Sequence, residues 1–219
     1  MLLALGGCAS GSLVSEVTGA VFRDKFGLTQ NATENLRLNP AYQYLQVEAT
    51  GAQPALLVLG YVDAHPLGNI EVWYSSQGEV LKLQNGRIVG TAGLALDWRR
   101  VSFPVAPPAW LTLSPDGALL SRLHDEFPGY RLGIEQRLQV KPGSAAPPTI
   151  LPSNLTPALA ARYQWFLETP VNPADAAVPP SWYALGPYQG QQMVIFSRQC
   201  LSAVLCLKIQ RWPPEKDRL

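Results

Sequence analysis

Residues 69–101 read NIEVWYSSQGEVLKLQNGRIVGTAGLALDWRRV, and this stretch decides the fold. In residues 70–74 and again in residues 79–83, apolar side chains alternate with polar ones, the period at which a strand buries one face. The Asn85-Gly86 dipeptide that follows predicts a tight hairpin, because a type I′ turn requires positive φ at both central residues. The stretch therefore predicts an antiparallel β-meander, and it contains no recognisable reaction centre.

The composition is that of a folded protein rich in strands and turns. Of the 219 residues 47% are hydrophobic, and the 20 prolines and 18 glycines would interrupt long helices. Seventeen basic and sixteen acidic residues leave a net charge of +1, with no basic cluster. Because a nucleic-acid-binding surface needs such a cluster, the sequence argues against a nucleic-acid partner.

Further apolar runs of strand length predict the rest of the sheet. They cover residues 42–49, 54–62, 98–103, 110–113, 129–140, 182–185, 192–198 and 205–212. In the 129–140 strand, the side chains of Tyr130, Leu132 and Ile134 are expected to face inward. Leu138 and Val140 would also face inward if a bulge changes the phase of the strand.

Two segments have helical character. In residues 13–26 the apolar side chains recur near helical spacing, and Gly27 ends the pattern as a C-cap would. Residues 157–167 begin with proline, which is favoured in the first turn of a helix. The predicted fold class is therefore mainly β, a β-rich α+β fold of antiparallel meander sheets with an N-terminal helix and one helix in the C-terminal half.

The proline-, serine- and alanine-rich residues 141–157 predict a connection between two regions. We expect residues 1–12 to be a signal remnant and tether, and residues 13–141 to form the N-terminal helix and antiparallel sheet. Residues 142–219 are expected to form a C-terminal subdomain with one helix and β-strands, packed on the first region as one compact unit.

Cys8 is a candidate lipidation site. Apolar residues 1–5 and then Gly6-Gly7 precede it, which resembles the lipobox of bacterial lipoproteins, in which the cysteine becomes the acylated N-terminus. The apolar core is shorter than the roughly 7–15 residues of a signal peptide, so either the start codon is assigned too late or the signal is truncated. Ala9 after the cysteine resembles the outer-membrane sorting pattern, and an accidental Gly-Gly-Cys is the alternative.

Cys200 and Cys206 are predicted to form a disulfide. They remain as a pair if Cys8 is lipidated, and five intervening residues are enough for a hairpin bend between them. Two reduced, buried cysteines are the alternative. A zinc site is disfavoured because zinc prefers four ligands, and the two histidines, His65 and His124, lie far away in sequence.

No motif of a known reaction centre is present, so the motifs point to no catalytic residue, cofactor or metal. Nucleophile elbows, phosphate-binding loops, dinucleotide glycine motifs and zinc-protease helices are all absent. His124-Asp125-Glu126 is the densest ionisable cluster and could supply a general acid and base. Neighbouring residues of a strand point to opposite faces, however, and Pro128-Gly129 suggests an exposed turn there.

Aromatic residues and one arginine are candidates for a glycan or partner contact. Trp73 and Trp98 could present flat faces to sugar rings, with burial in the core as the alternative. Arg87 directly follows the predicted turn. Its guanidinium could meet an anionic glycan or a partner's carboxylate at the surface, or it could fold back and brace the turn.

Taken together, the motifs resemble those of the YjbF/GfcB family of bacterial lipoproteins over nearly the whole chain. The most specific of them are the Asn-Gly-Arg-Ile-Val block at residues 85–89 with Gly93-Leu94, and the closing Gln-Arg-Trp at residues 210–212. Cys8, Tyr42-x-Tyr44-Leu45, LLVLGY at residues 56–61 and VWYS at residues 72–75 belong to the same pattern.

The resemblance implies a β-rich, non-enzymatic lipoprotein at the bacterial outer membrane, lipid-anchored with its body facing the periplasm. Such a protein would assist assembly or export of a capsule or exopolysaccharide by binding a polysaccharide export protein or the glycan. A polysaccharide-modifying enzyme and a structural envelope lipoprotein without a glycan role are the alternatives.

Overall fold

The computed structural model describes residues 38–144, 146–147, 149–152, 154–172 and 177–214. These residues form twelve β-strands and two short helical segments. The strands are β1 Tyr44–Ala49, β2 Ala55–Asp63, β3 Ile70–Ser75, β4 Val80–Gln84, β5 Arg87–Ala92, β6 Asp97–Ser102, β7 Ala118–Phe127, β8 Arg131–Gly143, β9 Gln164–Pro170, β10 Ser181–Tyr188, β11 Gln191–Cys200 and β12 Cys206–Trp212. The 3₁₀ turn is Trp110–Thr112 and the α-helix, α1, is Pro157–Ala160.

All twelve strands belong to one antiparallel sheet, so the mainly β, antiparallel fold class is confirmed. The strand order is β5-β4-β3-β2-β1-β12-β11-β10-β9-β8-β7-β6, in which β1 pairs with β12 and β8 pairs with β9. The sheet curls until its first and last strands, β5 and β6, lie side by side. There the hydroxyl of Thr91 donates to Asp97 Oδ1 at 3.0 Å and accepts from the backbone N–H of Trp98 at 2.9 Å.

The curled sheet encloses two groups of buried side chains. The larger is formed mainly by β1 to β6 and contains Trp73, Ile88 and Trp98. The smaller is formed by Trp110 and by residues of β7 to β11, including Phe166 and Tyr183. A third cluster packs the helical segment α1 and its flanking residues against β10 and β11. A continuous interior of this kind follows from the period-two pattern, which places alternate apolar side chains on one face.

The opening stretch folds as predicted. Its runs become β3, β4 and β5, and the β4–β5 hairpin turns at Asn85 and Gly86, whose φ angles are +49° and +80°. Gly86 is needed for a second reason: a Cβ there would lie 2.5 Å from the side chain of Val194 on β11. The turn is thereby packed directly against the opposite half of the sheet.

Several local predictions are wrong. The C-terminal helix ends at Ala160 rather than residue 167, because Trp165 and Phe166 become buried strand residues of β9. Residues 110–113, predicted as a strand, contain instead the 3₁₀ turn Trp110–Thr112, in which Trp110 is buried. Tyr130 and Leu132 are exposed because they lie at the β7–β8 tip, whereas Leu138 and Val140 face inward as predicted. The predicted helix at residues 13–26 lies outside the described residues.

Candidate functional site

The predicted disulfide is confirmed. Cys200 and Cys206 lie opposite each other where β11 pairs with β12, and the two sulfur atoms are bonded. The five residues between them form the hairpin that the spacing predicted. Cys8, the predicted lipidation site, lies outside the described residues.

The three predicted glycan or partner contacts are all buried. Relative exposure is 0% for Trp73, 2% for Trp98 and 1% for Arg87, so none of them presents a side chain at the outer surface. Trp73 and Trp98 take the alternative role of core residues. The prediction that they contact a ligand is corrected because their indole rings fill the interior of the curled sheet, where large apolar area is removed from water.

Arg87 braces the interior instead of meeting a partner at the surface. Its Nε donates to Glu168 Oε1 on β9 at 2.7 Å, and its guanidinium lies 3.7 Å from the centre of the Trp110 ring. Tyr183 donates its hydroxyl to Glu168 Oε2 at 2.8 Å, and burial, followed by the nearby Glu168 carboxylate, raises the pKa of Tyr183. The buried group of Arg87, Glu168 and Tyr183 therefore links β5, at one end of the strand order, to β9 and β10.

A cleft of about 850 Å³ opens beside this buried group. Its volume falls within the roughly 300–1,000 Å³ typical of ligand sites. Its walls come from the β2–β3 connection, the β4–β5 turn, residues 106–111 and the β10–β11 hairpin. Gln43, which directly precedes β1, and Arg211, near the end of β12, also line the cleft.

One wall of the cleft is a proline-rich segment, and Trp110 holds it in place. The indole Nε1 of Trp110 donates to the backbone oxygen of Asn85 at 2.8 Å. The ring packs on Phe166 and Tyr183, with centroids 5.2 Å and 4.7 Å away. Because Arg87 stacks on the same ring, the buried ion pair and the cleft wall form one packed unit.

The rim of the cleft is rich in carboxamides. The six exposed amide side chains that line it are Gln43, Asn69, Asn85, Gln189, Gln191 and Gln192. A carboxamide offers two donor hydrogens and an acceptor oxygen, which matches the mixed donor and acceptor character of hydroxyl groups. Between the amides lie apolar surfaces from Pro66, Pro107, Pro108, Leu111 and Met193. The lining therefore combines flat apolar area with uncharged hydrogen-bonding groups.

The charged residues among the described lining are already paired. Arg211 Nη2 contacts both carboxylate oxygens of Glu71 at 2.8 Å and 2.7 Å, and Trp73 Nε1 donates to the same carboxylate at 3.2 Å. Arg87 is neutralised by Glu168 beneath the cleft. The Nη2 atom of Arg87 is buried without a hydrogen-bond partner.

The His124-Asp125-Glu126 cluster lies on β7 and not at the cleft. The expectation of an exposed turn is wrong for His124, which is buried against the Trp98 ring at a centroid distance of 4.4 Å. Burial lowers the pKa of His124, although its contact with Glu126 at 3.1 Å opposes that shift. Glu126 pairs with Arg131 at 2.9 Å and Asp125 lies 3.5 Å from Arg100. Asp125 therefore pairs with Arg100, whereas His124 and Arg131 share the carboxylate of Glu126.

Apart from Arg87, sequence reasoning missed the residues that build the cleft. Trp110 lies in a segment with too little periodicity to show its orientation, and amides scattered along four segments carry no motif. The one local signal is the YQGQQ run at residues 188–192, which places four of the polar and aromatic side chains in one hairpin. In the part of the chain that the structure describes, no three histidine, cysteine or acidic residues cluster as metal ligands would. No described helix is long and apolar enough to cross a membrane.

Comparison with known proteins identifies the family. The family model described as group 4 capsule polysaccharide lipoprotein gfcB, YjbF matches residues 18–157, more than half of the chain. The chain belongs to this family. A family of capsule polysaccharide lipoproteins indicates a capsule-related lipoprotein of the cell envelope. Among curated proteins no sequence matches the chain.

The fold is shared with a solved structure. The crystal structure of the hypothetical lipoprotein YmcC from Escherichia coli superimposes with a TM-score of 0.57 at 18% sequence identity. The alignment covers 95% of this chain and 100% of the other. At this identity the likeness establishes the fold alone.

Proposed function

We propose that this protein is an accessory lipoprotein at the bacterial outer membrane which assists capsule or exopolysaccharide assembly or export by binding the glycan in the cleft. The observation that supports this proposal is the composition of the cleft lining, in which six exposed carboxamides surround apolar side chains. Polysaccharides present hydroxyl groups and weakly apolar ring faces, so both components of the lining have a counterpart on the ligand. Membership in a family of capsule polysaccharide lipoproteins supports a glycan over other hydroxyl-rich ligands.

The proposal is that the cleft binds without catalysis. Most glycoside hydrolases use two carboxyl groups that flank the scissile bond. Glu71 is the one carboxylate among the described lining residues, and it is engaged by Arg211 and Trp73. Glu168 lies beneath the cleft, fully buried against Arg87 and Tyr183. Incubation of the protein with its polysaccharide, followed by sizing of the product, tests this part: shortened chains would favour an enzyme.

Binding is tested with polysaccharide purified from the organism that encodes the chain. Isothermal titration of the protein should detect binding, and alanine at both Gln191 and Gln192 should weaken it about tenfold, since each lost hydrogen bond contributes roughly 0.5–1.5 kcal/mol. Gln77→Ala is the matched control, because Gln77 is an exposed amide on the β3–β4 turn outside the cleft. An unchanged affinity in the double variant would exclude the cleft.

The cellular role is tested by deletion and complementation. Loss of the gene should reduce exported polysaccharide, and the Gln191→Ala, Gln192→Ala chain should restore export less well than the Gln77→Ala chain. Normal export from the deletion strain would remove the role in export. If export depends on the protein while the isolated glycan fails to bind, a polysaccharide export protein becomes the partner to seek by crosslinking.

The outer-membrane location rests on lipidation at Cys8. Two or more acyl chains are needed for stable anchoring, as on lipoprotein cysteines. Metabolic labelling with palmitate should mark the wild-type chain and not Cys8→Ser, and the label should fractionate with the outer membrane. Equal labelling of the wild type and of Cys8→Ser would mean that Cys8 is not the acylated residue.

A further inference from the structure

We infer that the cleft selects uncharged stretches of glycan over stretches that carry carboxylates; this inference rests on the proposed function. The charged residues of the described lining are Glu71, Arg87 and Arg211, and each is already matched inside the protein. Arg211 is bonded to both oxygens of Glu71, and Arg87 is bonded to the buried Glu168. An acidic sugar entering the cleft would therefore meet no cation that lacks a countercharge. The Nη2 atom of Arg87 has no hydrogen-bond partner, but it is buried, and Glu168 balances the charge of its guanidinium.

The energetics disfavour a ligand carboxylate. Moving a carboxylate out of water is costly unless a cation or several donors replace its hydration. To reach Arg211, whose side chain is 7% exposed, the ligand would have to displace Glu71, whose side chain is 23% exposed. A ligand carboxylate beside Glu71 would also be repelled, because like charges within a few ångströms raise each other's energy. If the ligand carboxylate displaced Glu71 from Arg211, one ion pair would replace another and the total number of ion pairs would not increase.

The rim favours neutral hydroxyl groups for the opposite reason. Gln43, Gln191 and Gln192 are exposed and uncharged, and their amides can donate to one hydroxyl while accepting from another. Such hydrogen bonds replace those that the sugar makes with water, so no charge is desolvated. The cleft then selects neutral sugars because an acidic group would lose its hydration there without gaining a compensating contact, so the acidic ligand is penalised.

The test uses two forms of one polysaccharide from the encoding organism. Carboxyl reduction converts uronic acids to neutral sugars, and oxidation of primary hydroxyls to carboxylates makes the acidic form where the native chain is neutral. Titration of the wild-type protein should give an affinity for the neutral form at least about tenfold higher. Affinity for the neutral form should also stay constant from about 50 to about 500 mM NaCl, since no ion pair is screened.

A charge placed at the rim provides the second measurement. Gln192→Lys adds an unpaired cation at an exposed lining position, so the ratio of acidic to neutral affinity should rise about tenfold. Gln77→Lys adds the same charge at an exposed position outside the cleft and should leave the ratio unchanged. Neither position contributes to the buried ion pairs, so both chains should fold.

The outcomes separate this inference from the proposed function. Tighter binding of the acidic form by the wild-type protein overturns the inference and leaves glycan binding in the cleft intact. An equal ratio in Gln192→Lys and Gln77→Lys also overturns it, because charge at the rim would then have no part in selection. Binding of neither form refutes the proposed function, and the inference with it.

Discussion

Replacement of Arg87 by methionine should show how much the buried ion pair contributes to the fold. Arg87 and Glu168 have side chains that are 2% and 0% exposed, and 2.7 Å separates Arg87 Nε from Glu168 Oε1. The substitution Arg87→Met keeps most of the aliphatic volume but leaves the Glu168 carboxylate in the interior without its cation. It also removes the guanidinium that lies on the Trp110 ring.

The magnitude follows from the cost of an unpaired buried charge. Removal of one partner of a buried ion pair destabilises a protein by about 3–5 kcal/mol. Substitution of both partners with apolar residues, Arg87→Met with Glu168→Leu, should cost about 1 kcal/mol or less, because the desolvation of both charges is relieved as well. Tyr183 would then retain Gln199 Oε1, 3.1 Å away, as an acceptor for its hydroxyl.

Urea unfolding of wild type, both single variants and the double variant measures the coupling. With a slope of about 2 kcal/mol per molar urea, the midpoint of Arg87→Met should fall by on the order of 2 M, and the double variant should recover most of that loss. Arg100→Met is the control, because Arg100 pairs with Asp125 at 3.5 Å but is 75% exposed, and it should cost less than about 1 kcal/mol. Additive losses in the double variant would refute the reasoning, as would a cost for Arg87→Met no larger than that of the control.

Three further changes test other parts of the structure. The lowered pKa of His124 means that, as pH falls below the unfolded pKa of about 6.5, the unfolded chain takes up a proton which the folded chain does not. Wild type should therefore lose stability between about pH 7 and pH 5, by up to about 1.4 kcal/mol per pH unit. In His124→Gln this loss should be smaller. An identical pH profile for wild type and variant would contradict this. Gly86→Ala should cost more than Gly51→Ala by about 1–3 kcal/mol in urea unfolding, because both have positive φ but only Gly86 would clash, with Val194; equal costs would show that the contact yields. Serine at both Cys200 and Cys206 should lower the free energy of unfolding by about 2 kcal/mol, because the disulfide closes only a short loop of the unfolded chain. Reducing agent should have no effect on the stability of that variant. Wild type that is insensitive to reductant would count against the bridge.

Local patterns of the sequence were sufficient for most strands. The alternation in residues 70–74 and 79–83 and the Asn85-Gly86 turn became β3, β4 and their hairpins, because strand period and positive φ are properties of neighbouring residues. β7 was missed because Pro128-Gly129 suggested an exposed turn beside its charged residues, and only the fold shows that His124 packs on Trp98. The extent of α1 was misjudged because helical propensity over residues 157–167 is weaker than the burial of Trp165 and Phe166 in β9.

By itself the sequence determined the antiparallel β character, the disulfide pairing and the motifs of the family, since each depends on a few residues close together in the chain. Tertiary structure decided the role of Arg87 and the location of the cleft. Arg87 faces inward because the sheet curls until β5 lies across from Glu168, which is distant in sequence. The cleft exists because four connecting segments and the adjoining ends of β1 and β12 converge at one end of that curled sheet. Convergence of this kind depends on long-range packing, which no local pattern of residues encodes.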